Sequence, residues 1–142
     1  MNGHNPLRWD CEKQGCFNKK CRPKIEQFAE CLPGRIAFSD VDGIVEINGN
    51  FLLLEWKSFL GDIPDGQRIM YEQMTQNDNF TVVIIAGNAE TMEIQSVKVV
   101  HKGCAGKWQV CTLKELKDKI RAWSTRVKRR KQVAAATAAK WV

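Results

Sequence analysis

No apolar run in this chain approaches the roughly 20 residues needed to cross a bilayer, so no membrane partner is expected. The opening MNGHNPLRWDCEKQGC lacks the apolar stretch of a secretory signal, which predicts a cytoplasmic protein with reduced thiols. There is no Gly-rich loop to cradle a phosphate and no Ser nucleophile elbow. Internal repeats are absent, and the only low-complexity stretch is the alanine-rich AAATAAKWV. Acids are nearly missing from one region: residues 117–131 hold eight Lys or Arg against the single Asp118. Apart from that stretch and Lys140, the chain carries 13 basic and 15 acidic residues. The net charge of +6 is therefore concentrated in a basic tail on a nearly neutral body, which suits a polyanionic partner.

What is present fits one α/β domain. A chain of 142 residues can bury a single core, and its 44% hydrophobic and 27% charged content is ordinary for a globular protein. Residues 1–22 form a polar, Cys-rich segment without periodicity. Residues 23–32 open on Pro23, carry Ile25, Phe28, Ala29 and Leu32 at helical spacing, and stop at Pro33-Gly34, which predicts a short amphipathic helix. Residues 35–39 read as a short strand. GIVEI (43–47) and FLLLEWK (51–57) flank Asn48-Gly49-Asn50, a strong hairpin signal.

Residues 67–76 read as a helix with Ile69, Met70 and Met74 on its buried face. FTVVIIA (80–86) reads as a central buried strand. Residues 92–101 read as a strand pairing with 107–111 across 102–106. Thr112 and Glu115 form a capping box that opens a helix running at least to Arg130, with Leu113, Leu116, Ile120, Trp123 and Val127 on one face. The expected order is α-β-β-β-α-β, then a hairpin and a basic helix: a mixed sheet flanked by helices.

The chemistry concentrates on the first hairpin. Residues two apart on a strand share a face, so Glu55 and Lys57 point together while Trp56 faces the other way. The hairpin folds Asp42 back beside Glu55, and two converging carboxylates make an oxygen-rich site suited to Mg²⁺ or Mn²⁺. A lysine there can orient a water or neutralise negative charge developing on a phosphorane. The plain alternative is a surface pair at the end of an edge strand, with Asp42 a turn residue.

A helix bearing Glu26, Asp42 at a hairpin start, Glu55-Trp56-Lys57 and a following helix together resemble the PD-(D/E)XK nuclease superfamily. The likeness spans residues 24–86. Gln67-Arg68-Ile69-Met70-Tyr71 also resembles the Gln-x-x-x-Tyr element of the branch related to RecB and lambda exonuclease. Val41 stands where the name-giving Pro would be, and the His that many members of that branch carry upstream is missing. The resemblance implies a restriction-endonuclease-like core over 23–111 in a small phage-encoded nuclease acting in the bacterial host. It implies that Asp42, Glu55 and the Trp56 carbonyl hold Mg²⁺ or Mn²⁺, and that Lys57 positions the attacking water. Glu26 would reach the site directly or through water, Gln67 would sit beside the metal, and Tyr71 would contact substrate or pack nearby. Asp40 is an alternative carboxylate to Asp42.

Cys11, Cys16 and Cys21 recur at even spacing, with His4 or Cys31 as the fourth member of a candidate structural zinc site. Cys104 and Cys111 are expected to be buried thiols. His101 is expected in a structural or surface role, and Trp108 as a core or substrate-facing aromatic. Arg126, Lys128, Arg129, Arg130 and Lys131, within the basic helix assigned to residues 112–142, form a dense cluster able to neutralise phosphates. The expected function is metal-dependent hydrolysis of DNA, with a homodimer as a candidate for cutting both strands. A non-catalytic nucleic-acid-binding protein with a zinc-stapled N-terminus, and a small inhibitor or adaptor, are the competing classes.

Overall fold

A computed structural model describes residues 23–58 and 63–129. The chain divides into two units, residues 1–40 and 41–142. In the first, Ile25–Cys31 forms a 3-10 helix with no buried residue, in place of the expected amphipathic helix. Its Phe28 meets Phe38 edge-on at 6.2 Å. The strand expected at 35–39 does not form: Ile36 and Phe38 are exposed, and no sheet neighbour among the described residues pairs with them.

The second unit is a mixed sheet with a helix on each face. Among the described residues the sheet has six strands: β1 (Gly43–Ile47), β2 (Asn50–Lys57), β3 (Phe80–Asn88), β4 (Glu93–His101), β5 (Cys104–Ala105) and β6 (Gln109–Val110). Their order is β1-β2-β3-β4-β5, with β6 also on β4. All pairings are antiparallel except β2 with β3, which run parallel and are joined through α1 (Asp65–Met74). The α2 helix (Leu113–Arg129) follows the last strand. No helix among the described residues is long and apolar enough to cross a membrane.

The Asn48-Gly49 turn sets the register of the first hairpin. Both residues adopt positive φ (55° and 82°), the pair of conformations a two-residue hairpin loop of the I′ kind requires. The resulting ladder places Gly43 opposite Leu54 and Ile47 opposite Asn50. β-strand alternation then sorts the core onto two faces. Leu53, Val82, Ile84 and Val100 pack with Tyr71 of α1 on one side. Leu52, Val83, Ile85 and Val97 pack with Leu116, Trp123 and Val127 of α2 on the other.

β3 is buried along most of its length, as its unbroken apolar run predicts. On α1 the buried residue is Tyr71, with Met70 and Met74 packed beside it, whereas Ile69 is exposed, contrary to expectation. The expected 92–101/107–111 pairing is split into two short pieces. Lys102-Gly103, both at positive φ, turn β4 directly into β5. Cys111 is buried but Cys104, beside that turn, is exposed rather than buried. At the start of α2 the Glu115 N–H donates to Thr112 Oγ1 at 3.1 Å, the capping interaction the sequence predicts.

Candidate active site

β2 carries the two charged residues that end its apolar run. Glu55 and Lys57 project on the α1 face, while Trp56 packs toward α2 and donates from Nε1 to the Gly87 carbonyl at 2.9 Å. Glu55 is buried at 7% exposure, so its carboxylate needs partners. It has two. Lys57 Nζ lies 3.2 Å from Oε1, and Gln67 Nε2 donates to the same oxygen at 3.1 Å. Gln67 Oε1 in turn accepts from Lys57 Nζ at 2.8 Å. The three side chains thus close a ring across strand and helix. Among the described residues no hydrogen bond falls on Glu55 Oε2.

Asp42 sits one position before β1, and its Oδ2 accepts the Trp56 N–H at 2.6 Å. A strand residue sends its N–H and C=O to the same side, so the Trp56 carbonyl faces that β1 edge as well. Asp42 is exposed and takes the place of a ladder partner beyond the end of β1. The end of β2 therefore gathers a buried carboxylate, an exposed carboxylate, a backbone carbonyl edge and an ammonium. All the anionic donors are oxygens, the set that hard divalent cations prefer. Among the described residues no three His, Cys, Asp or Glu side chains form a ready metal cage. Mg²⁺ keeps several waters and needs only one or two carboxylates, so this donor set fits it.

Tyr71 stands one helical turn after Gln67 but is 2% exposed and packs into the core beneath the ring. Glu26 is exposed on the 3-10 helix of the first unit, to which Asp40 also belongs. Cys31 is exposed at the end of that helix. His4, Cys11, Cys16, Cys21, Arg130 and Lys131 lie outside the described residues. Arg126, Lys128 and Arg129 are exposed in the last turn of α2, on the opposite face of the sheet from Glu55 and Lys57. Trp108 is half-buried with Lys98 Nζ 5.2 Å from its ring centroid, and exposed His101 approaches Thr81 Oγ1 at 3.5 Å. A polar pocket near His101, lined in part by Asn79 and Lys102, had no signal in the sequence, because its residues come from strand ends, turns and α2, which only the fold unites.

No known protein family matches this chain, and no curated protein or solved structure is significantly similar to it.

Proposed function

We propose that the protein is a metal-dependent nuclease of the PD-(D/E)XK kind that hydrolyses phosphodiester bonds of DNA. The observation that carries the reading is the ring of Glu55, Gln67 and Lys57 beside Asp42 at the end of β2. A core built as hairpin, helix and parallel strand supports the restriction-endonuclease-like assignment, although the strand expected at 35–39 is not among its elements.

Asp42, Glu55 and the Trp56 carbonyl would hold Mg²⁺ or Mn²⁺. When bound, such an ion supplies an acidified water and neutralises charge on the phosphoryl oxygens. The ammonium of Lys57 has three N–H groups, of which Gln67 and Glu55 engage two. The third orients the water that attacks phosphorus; as the new P–O bond forms the water gives up a proton to solvent, and as the P–O ester bond breaks the leaving oxygen takes one from solvent. Gln67 fixes the Lys57 rotamer, a positioning role.

The test is cleavage of linear, circular and branched DNA with Mg²⁺ or Mn²⁺, comparing the wild type with Lys57→Ala and Asp42→Asn. Each variant is expected to lose at least about 100-fold in rate, the usual scale for removing a group that stabilises developing charge. DNA that is bound and never cut would instead favour the second reading, a non-catalytic nucleic-acid-binding protein. One observation speaks for that reading: the basic end of α2 lies across the sheet from Glu55 and Lys57.

A further inference from the structure

At the other end of β2 from Glu55, on the α2 side, a polar pocket of 180 Å³ opens among Asn50, Asp78, Asn79, His101, Lys102 and Arg126. An apolar crevice of 140 Å³ runs beside it between α2 and the sheet, walled by Leu52, Val83, Val97, Val99, Leu116 and Ile120. The two cavities share Thr81, Trp123 and Arg126, so they adjoin. Together they reach the lower end of the roughly 300–1,000 Å³ typical of small-ligand sites.

We propose that these adjoining cavities form one nucleotide-binding site, with the phosphate between Lys102 and Arg126 and the base against Trp123 beneath α2. A phosphate suits two exposed cations set beside the His101 ring, because charge-assisted hydrogen bonds to phosphate are the strong ones. A phosphate alone does not explain Asp78, which would repel it, nor the apolar half. A wholly apolar ligand would leave Lys102, Arg126 and Asp78 desolvated without partners. A nucleotide answers both halves. Its base enters the crevice, and its sugar or base donors meet Asp78 and the amide oxygens nearby. Asn79 already donates from Nδ2 to the Gly49 carbonyl at 3.0 Å, which fixes its orientation and leaves its oxygen as the free end.

The site shares no residue with the ring of Glu55, Gln67 and Lys57, so it stands even if the chain cuts nothing. Two sources of this chemistry are distinguished by the probe: a free mononucleotide, or a nucleotide within a strand. The full chain is titrated, in EDTA and at constant ionic strength, with inorganic phosphate, thymidine 5′-monophosphate and 5′-phosphorylated tetrathymidylate, following NMR signals. The mononucleotide or the tetranucleotide is expected to move both the Lys102 amide and the Trp123 indole. Arg126→Ala and Lys102→Gln should each weaken that binding about tenfold, and Lys114→Ala, in the first turn of the same helix and outside both cavities, less than about threefold. Tighter binding of the tetranucleotide assigns the site to a strand; equal binding assigns it to free nucleotide. Shifts confined to Lys102 and reproduced by inorganic phosphate, an equal loss in Lys114→Ala, or no binding of any probe would overturn the proposal.

Discussion

Gln67 donates to Glu55 and accepts from Lys57, which makes it the residue on which the buried carboxylate's arrangement turns. Gln67→Leu keeps the volume and removes both bonds. It should cost about 1–3 kcal/mol in urea unfolding, the penalty for leaving a buried polar group short of a partner. Under the nuclease reading it should also slow cleavage, because Lys57 loses its anchor. Gln67→Glu would place a second carboxylate against Glu55 and should be the more damaging change, read in the same denaturation series. The cysteines differ as sharply. Burial pushes the Cys111 thiol up from its ordinary value, with Glu115 adding to the effect, while Cys104 is exposed. A thiol held neutral is a poor nucleophile. Peptide mapping after brief iodoacetamide treatment at neutral pH should therefore find Cys104 modified well before Cys111.

Within elements, local chemistry decides how much a single change matters. Thr112→Ala removes the oxygen that accepts the Glu115 N–H and should cost about 0.5–2 kcal/mol, measured by thermal or urea unfolding. Gly87 tolerates less. It lies at the register shift of β3 against β4, and a Cβ there would run into the Glu93 carbonyl. Gly87→Ala should destabilise by about 1–3 kcal/mol through displaced backbone.

Where such signals are local, the sequence was readable. Asn48-Gly49 predicted the hairpin, Thr112 with Glu115 predicted the start of α2, and the two-residue spacing of Glu55 and Lys57 predicted their shared face. Where the outcome depended on a distant neighbour, it was not. Ile36 and Phe38 have β character but no strand beside them among the described residues. Lys102 is an unusual residue at positive φ, so the tight turn that exposes Cys104 left little trace. The ring of Glu55, Gln67 and Lys57 was half legible: helical and strand spacing gave the faces, but only the parallel crossover gave the contacts.

At the scale of the whole unit, the sheet separates two chemistries. One face presents α1 with the carboxylates and Lys57, the other α2 with its basic last turn. Asn48 Nδ2 donates to the Val127 carbonyl at 3.2 Å and ties the hairpin turn to the end of α2. The central β2–β3 pair has another consequence, in the time domain. β1–β2 and β3–β4 are hairpins with short connections, of a kind that closes in about 1–10 μs. β2 and β3 pair only after the chain between them has looped back, and such non-local pairing is slow. Phe51 and Phe80 stack at 4.7 Å where that pairing begins. Phe80→Ala should therefore lower the folding rate, whereas Thr112→Ala should chiefly raise the unfolding rate, as the two arms of a chevron plot would separate. Glu55 and Lys57 lie before the crossover and Gln67 within it, so their ring is completed only when the slow closure is done. In a newly made chain the side chains proposed to do chemistry therefore meet only at that non-local pairing, later than either hairpin can close.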